Sequence, residues 1–100
     1  MLCRREDLAP GQARRFDVGG TRVALVRVGD EFFALSDRCS HEDYSLSDGE
    51  VWPDELEIEC PRHGSSFDLR TGEPNSLPAT KPVPVYKVDV VGDDVTVELS

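Results

Sequence analysis

Apolar and polar side chains alternate over short stretches along much of this chain, a pattern that is typical of half-buried β-strands. Two such stretches, residues 13–18 and 21–28, flank a Gly-Gly pair at 19–20, which predicts a β-hairpin. A second turn signal at 29–30 leads into another stretch over residues 31–35. We therefore predict a meander of short antiparallel strands, and no stretch has helical periodicity.

The second half of the chain predicts further strands. Residues 56–59 alternate cleanly and predict a half-buried strand that leads directly to Cys60. Residues 67–69 predict a short strand, and residues 83–91 and 95–99 predict a closing hairpin around the turn residues between them. The chain as a whole is therefore predicted to be all-β.

Two other segments separate these strands. Residues 41–49 are polar and rich in turn formers, which predicts a loop or one short helical turn. Trp52 comes soon afterwards, and we expect it to pack in the core or between subdomains. Residues 74–84 contain four prolines, whose fixed φ angles predict a stiff, ordered loop and not a flexible linker.

Length and charge narrow the class of protein. One hundred residues suit one small domain, and no apolar stretch approaches the ~20 residues that span a bilayer. The first residues lack the apolar segment of a signal peptide, and three cysteines suggest a reducing compartment, so we expect a cytoplasmic protein. The net charge of −9 disfavours nucleic acid and membrane surfaces as partners. It suits transient docking onto basic partner faces, although acidity also maintains solubility.

The candidate chemistry lies in two short motifs that use both histidines and two of the three cysteines. Cys39 and His41 form a C-x-H motif, and Cys60 and His63 form a C-x-x-H motif. Two sulfur and two imidazole donors favour either zinc or an iron–sulfur centre. Zinc fingers usually pair Cys with Cys and His with His. Each motif here mixes the two, which suits two bridged metals that each need two ligands.

Two alternatives remain at this point. A structural zinc site would use the same four side chains, and a Cys39–Cys60 disulfide would leave both histidines without a purpose. Cys3 lies outside both motifs, and we expect it in a strand near the terminus and not among the ligands.

The two motifs resemble the C-x-H and C-P-x-H-G boxes of the Rieske family. The resemblance continues through the Phe-Asp-Leu-Arg-Thr-Gly stretch at 67–72 and through residues 77–80. It covers roughly residues 22–99. The resemblance implies one Rieske-type [2Fe–2S] cluster per chain, with the two cysteines on one iron and the two histidines on the other. The ligands would be Cys39, His41, Cys60 and His63.

The resemblance also implies an architecture. We expect a small Rieske-like antiparallel β-sandwich or barrel with a loop-built cluster-binding subdomain at one end. A single domain would cover residues 1–100, with the subdomain over about residues 38–82 inserted in the β base. The proline-rich loop would cover the cluster from a third side.

Within the family, the sequence most resembles soluble Rieske-type ferredoxins that supply electrons to oxygenases. Respiratory members carry an extra cysteine in each box, and Tyr44 and Arg62 occupy those positions here. The resemblance implies a monomeric electron carrier, not an enzyme, between a flavin-dependent NAD(P)H reductase and a terminal aromatic ring-hydroxylating oxygenase. The alternatives are a small Rieske subunit of a larger oxidoreductase, such as a nitrite reductase, and a structural zinc-binding interaction module.

Overall fold

The computed structural model describes residues 2–37, 45–60, 66–74 and 82–98. Within these ranges the chain forms nine β-strands and two short 3₁₀ turns, and every strand pair is antiparallel. No helix in the described part of the chain has the length and apolar character needed to cross a membrane. The prediction of an all-β antiparallel fold is confirmed.

The strands form two sheets. In chain order they are β1 (Cys3–Arg4), β2 (Ala13–Val18), β3 (Thr21–Val28), β4 (Glu31–Ser36), β5 (Val51–Trp52), β6 (Glu57–Glu59), β7 (Ser66–Asp68), β8 (Val85–Val91) and β9 (Asp94–Glu98). The 3₁₀ turns are Arg5–Asp7 and Leu46–Asp48. Six strands form the base sheet in the order β1-β9-β8-β4-β3-β2, and the small sheet has the order β5-β6-β7.

Strand β3 is an interior strand of the base sheet because it pairs with β2 on one side and with β4 on the other. Its four residues Val23, Ala24, Leu25 and Val26 are all buried. Successive side chains of a strand point to opposite faces, so burial of the whole run means that both faces of β3 are covered. Ala24 and Val26 belong to one apolar cluster, and Val23 and Leu25 belong to another.

These two clusters are the cores of the protein. The base core is built from the base sheet and the N-terminal residues, and its buried members are Cys3, Leu8, Val23, Leu25, Phe32, Ala34 and Val95. The intersheet core joins the other face of β3 and β4 to the small sheet, and its buried members are Ala24, Val26, Leu35, Leu46, Ile58, Cys60, Phe67, Leu69 and Val83. Burial of apolar area in these cores stabilises the fold by about 25 cal/mol for each Å².

The small sheet differs by one residue from the prediction at three strand ends. Leu56 was expected to begin β6, but it has a positive φ of 54° and ends the preceding turn, with its N–H donating to the Pro53 carbonyl at 3.3 Å. Strand β7 begins and ends one residue earlier than expected, so Leu69 follows it. Leu69 is nevertheless buried, and its N–H donates to the Leu56 carbonyl at 2.8 Å.

The closing hairpin is confirmed, but β8 starts at Val85 and not at Val83. Pro84 has no N–H to donate to a neighbouring strand, which explains the later start. Val83 instead donates its N–H to the Gly72 carbonyl at 2.9 Å. Most of the proline-rich loop and Leu99 lie outside the described residues, and the predicted domain boundaries stay predictions.

Candidate metal centre

Cys60 is the predicted ligand that the structure describes. It directly follows β6, and it is completely buried, at 0 % exposure, in the intersheet core. Cys39, His41 and His63 lie outside the described residues. Within the described ranges no group of three or more His, Cys, Asp or Glu side chains comes together. Ligation by these four residues therefore stays a prediction.

Backbone pairing on both sides of β6 fixes the position of Cys60. Ile58 pairs with Val51 in β5 and with Phe67 in β7. Ile58 and Phe67 are both fully buried in the intersheet core. The N–H of Glu59, the residue before Cys60, donates to the Glu50 carbonyl at 2.8 Å. The sulfur therefore lies at the end of a strand whose backbone is held by its neighbours.

A buried carboxylate lies two residues before the first motif. Asp37 has 0 % exposure, and its side chain accepts hydrogen bonds from the Ser45 hydroxyl and from the Ser47 backbone N–H, the latter at 2.7 Å. Its own N–H donates to the Arg22 carbonyl at 3.1 Å, and its carbonyl accepts from the Leu46 N–H at 2.9 Å. Asp37 was not among the site residues predicted from the sequence. The available signal was the Ser-Leu-Ser stretch beyond the motif, which offers donors to a nearby carboxylate.

Arg15 on β2 contributes a weaker interaction to the same carboxylate. Its Nε lies 4.0 Å from the Asp37 Oδ2 and 3.2 Å from the Asp17 Oδ1. The 4.0 Å separation from Asp37 is at the limit for an ion pair, and the 45 % exposed guanidinium lies closer to Asp17. The shorter hydrogen bonds to Ser45 and Ser47 are therefore the main partners of the Asp37 side chain.

The Leu46–Asp48 turn packs against the backbone of β6. Gly49 follows this turn and donates its N–H to the Leu46 carbonyl at 3.0 Å. A Cβ atom at Gly49 would lie 1.7 Å from the Glu59 carbonyl oxygen. The φ angle of Gly49 is −84°, so glycine is required here by the close approach and not by the backbone conformation. The turn thus contacts both Asp37 and the residue that precedes Cys60.

An ion pair fixes the turn that follows β7. The Asp68 carboxylate accepts from the Arg70 backbone N–H at 2.7 Å and from the Arg70 Nη2 at 3.0 Å. The side-chain hydrogen bond from Arg70 lowers the pKa of the Asp68 carboxyl below its usual value. The Asp68 N–H donates to the Glu73 carbonyl at 2.9 Å. This turn is therefore held by charge-assisted bonds as well as by the backbone.

The structure also tests the predicted positions of Trp52 and Cys3. Trp52 is 40 % exposed on β5, so the expectation that it packs in a core is wrong. Cys3 lies in β1 opposite Val95 and in the base core, which confirms the strand assignment. Burial raises the pKa of the Cys3 thiol, and the negative charge of Asp7 raises it further. A neutral thiol in the base core is no ligand for a site at Cys60 in the intersheet core.

Comparison with known proteins gives a consistent answer. Residues 1–87 match the family model of the Rieske [2Fe-2S] domain. The ferredoxin component of biphenyl 2,3-dioxygenase from Rhodococcus jostii (strain RHA1) is 43 % identical over 98 residues. The alignment covers 98 % of this chain and 90 % of that protein. The similarity therefore extends over nearly the full length of both.

Two solved structures have the same fold. The ferredoxin of carbazole 1,9a-dioxygenase from Nocardioides aromaticivorans IC177 superposes with a TM-score of 0.94 at 43 % identity, covering 96 % of this chain and 92 % of that one. The ferredoxin in a complex of reduced oxygenase and oxidized ferredoxin of carbazole 1,9a-dioxygenase superposes with a TM-score of 0.88. It is also 43 % identical, and the match covers 96 % of this chain and 97 % of that one.

The described part of the site suits the cofactor that the family binds. Cys60 supplies a thiol from a dry, apolar environment, and burying charge there without compensation is costly. A set of two thiolates and two neutral imidazoles leaves an oxidised [2Fe–2S] cluster without net formal charge, whereas four thiolates would leave a dianion. The predicted similarity to Rieske-type ferredoxins and the predicted cofactor are confirmed. The chain belongs to the Rieske [2Fe–2S] family.

Proposed function

We propose that this chain is the ferredoxin component of a multicomponent ring-hydroxylating oxygenase. It accepts single electrons from a flavin-dependent NAD(P)H reductase and passes them to the terminal oxygenase. The observation that carries this proposal is the 43 % identity, over nearly the whole chain, to a ferredoxin component of biphenyl 2,3-dioxygenase. The solved complex of an oxygenase with a ferredoxin of equal identity supports the oxygenase as a partner. The chain is a carrier and does not catalyse a reaction by itself.

We assign the cluster to Cys39, His41, Cys60 and His63. When bound, the cluster takes up and releases one electron at a time. Cys60 offers its sulfur from the intersheet core, so this side of the site is closed to water by Ile58 and Phe67. His41 and His63 would supply the imidazole ligands. The apolar surroundings of Cys60 would limit the solvent that must reorganise when the charge of the cluster changes.

The charge of the chain supports transient docking to basic partner surfaces. Residues 45–60 include no Lys or Arg and contain six carboxylates, which are Asp48, Glu50, Asp54, Glu55, Glu57 and Glu59. Trp52 is exposed among them. Such a distribution speeds association with basic faces and weakens it as salt rises, because ions screen charges beyond about 8–10 Å. A carrier that must leave each partner quickly benefits from such contacts. We place this exchange in the cytoplasm, with the chain as a monomer.

Reconstitution with defined partners tests the proposal. The chain is purified after growth with ample iron, and iron, acid-labile sulfide and dithionite-bleachable visible absorption are measured. It is then added to the reductase and terminal oxygenase of the biphenyl 2,3-dioxygenase system, and NADH-dependent product formation is followed. We expect product only when the chain is present, and at least about tenfold less with Cys60→Ser, since loss of a ligand removes the cluster. A cluster-bearing chain that the reductase cannot reduce would refute the proposal.

A small Rieske subunit of a larger oxidoreductase, such as a nitrite reductase, is the second candidate. It would bind the same cluster but would co-purify with a large catalytic subunit instead of behaving as a monomer. The nearly full-length identity to a ferredoxin component favours the free carrier. A zinc-binding interaction module would be colourless and contain stoichiometric zinc, and the family assignment argues against it.

A further inference from the structure

A buried carboxylate joins the two ends of the segment that carries the first metal-binding motif. Asp37 precedes residues 38–44, and Ser45 follows them. The Asp37 side chain is fully buried and accepts hydrogen bonds from the Ser45 hydroxyl and the Ser47 N–H. Its backbone carbonyl also accepts from the Leu46 N–H at 2.9 Å. Residue 37 is thus fixed to the Leu46–Asp48 turn by both its side chain and its backbone.

The same turn contacts the strand that leads to Cys60. The Glu59 carbonyl oxygen lies so close to Gly49 that a Cβ atom there would be 1.7 Å from it. The Glu59 N–H donates to the Glu50 carbonyl at 2.8 Å. Packing this close leaves no room for the turn to move towards β6. A continuous set of contacts therefore links Asp37 to the residue before Cys60.

We propose that Asp37 is a positioning residue for the cluster, which fixes the first motif relative to the second through the Leu46–Asp48 turn. This inference rests on the proposed function and on its ligand assignment. Cys39 and His41 belong to the segment whose ends Asp37 joins, and Cys60 follows the strand that the turn contacts. Because the ligands come from two separate segments, the relative position of these segments sets the ligand geometry.

The chemistry of the carboxylate explains why Asp occupies this position. Both of its oxygens accept hydrogen bonds, one from a hydroxyl and one from a backbone N–H. An asparagine can retain this arrangement in part. Its Oδ1 accepts from the Ser47 N–H, and its Nδ2 donates to the Ser45 oxygen once the Ser45 hydroxyl turns towards the Ser47 Oγ, 2.9 Å away. An alanine retains neither bond and leaves the partly buried Ser47 N–H without its acceptor.

Four cluster-bearing proteins test the proposal: the wild type, Asp37→Ala, Asp37→Asn and the control Asp48→Asn. Asp48 is exposed on the same turn, so the control removes the same charge away from the buried bonds. Loss of visible absorption in excess chelator gives the rate of cluster release, and the electron paramagnetic resonance spectrum of the reduced protein reports ligand geometry. We expect release about tenfold faster or more in Asp37→Ala, with a broadened spectrum. Asp37→Asn should stay within about threefold of the wild type, and Asp48→Asn should match it.

The measurements distinguish a failure of the positioning role from a failure of the proposed function. Equal release rates and spectra in the wild type and Asp37→Ala overturn the positioning role and leave the carrier function intact. The same holds if Asp37→Ala only lowers the melting temperature and leaves the spectrum unchanged. If that variant does not fold, Ser45→Ala removes one of the two side-chain bonds, and an unchanged release rate there overturns the role. A wild-type protein without acid-labile sulfide overturns both proposals.

Discussion

The two sheets of this protein differ in strand length and in the packing that stabilises them. The base sheet has six strands, and its interior strand β3 is eight residues long and is buried on both faces over its four middle residues. The small sheet has three strands of only two or three residues each. Sheets this small are marginally stable without support from packing. The small sheet receives that support from the intersheet core, which it shares with β3 and β4.

The two sheets therefore differ in the contacts that stabilise them. The base sheet has longer strands, glycine turns and a core of its own on one face. The small sheet is stabilised by the intersheet core that it shares with β3 and β4, by the close approach of Gly49 to Glu59 and by the local ion pair of Asp68 and Arg70. We infer that metal binding supplies much of the remaining stability of the small sheet, since binding energy at a site formed only in the folded state is folding energy.

Removal of the cluster should therefore have the largest effect on stability, and it should destabilise the small sheet more than the base sheet. We expect hydrogen exchange of the β6 and β7 amides to accelerate by roughly a hundredfold in the metal-free protein. Exchange of the β3 amides should change by less than about threefold, because β3 is held by its own neighbours. Exchange measured by NMR or mass spectrometry checks both. Equal acceleration in the two sheets would show that they unfold as one unit.

Truncations in the two cores sharpen the same comparison. Leu25→Ala, in the base core, should lower the free energy of unfolding by about 2–5 kcal/mol. Ile58→Ala, in the intersheet core, removes a side chain of similar size, but its main effect should be faster release of the cluster. Urea unfolding followed by far-UV circular dichroism and by visible absorption distinguishes the two. If Ile58→Ala shifts both midpoints equally, the small sheet has no independent stability.

The base sheet could be predicted from the sequence because its signals are local. The strands β2 and β3 have the predicted bounds, and the turn between them contains two glycines with positive φ. A tight turn between alternating stretches specifies a hairpin without reference to the rest of the chain. The two motifs were equally readable, since their spacing defines a donor set. Cys39, His41 and His63 lie outside the described residues, and ligation by these three residues and Cys60 stays a prediction.

The remaining features of the site depend on contacts between distant parts of the chain. An aspartate beside a polar loop is expected at the surface. Asp37 is buried instead, and Ser45 and Ser47 donate hydrogen bonds to its carboxylate. Gly49 reads as a turn residue, although its ordinary φ shows that the close carbonyl of Glu59 requires it. Trp52 reads as a core residue, since large aromatic side chains dominate cores, but it lies exposed on an edge strand.

Two glycine substitutions test the role of close packing in the small sheet. Gly49→Ala places a Cβ against the Glu59 carbonyl and should destabilise the protein by about 1–3 kcal/mol, with faster cluster release. Gly92→Ala, in the β8–β9 turn, meets open space but has a φ of 62°, and should cost about 1 kcal/mol without affecting the cluster. Thermal unfolding and the rate of bleaching in chelator measure these effects. Similar bleaching rates for the two variants would show that the close packing of Gly49 against Glu59 does not affect cluster release.

Acid should reveal the contribution of Asp68, which we expect to be the smallest of these effects. Arg70 lowers the pKa of Asp68 in the folded state, so the folded protein holds this proton less tightly than the unfolded chain does. The resulting stabilisation is fully present above the unfolded pKa of about 4 and disappears as the pH falls through the lower folded value. Asp68→Asn should therefore be less stable than the wild type at pH 7, and the gap should shrink below about pH 4.

The measurement follows unfolding in urea by far-UV circular dichroism between neutral and acid pH. The control Asp54→Asn removes the same charge from an exposed turn of the small sheet. Its difference from the wild type should stay small, because exposed charges without fixed geometry contribute little. A gap between Asp68→Asn and the wild type that stays constant into acid would mean that the effect does not come from the ionised carboxylate. If the stability difference between Asp68→Asn and the wild type disappears in acid, the effect comes from the carboxylate charge and from its ion pair with Arg70 in the small sheet.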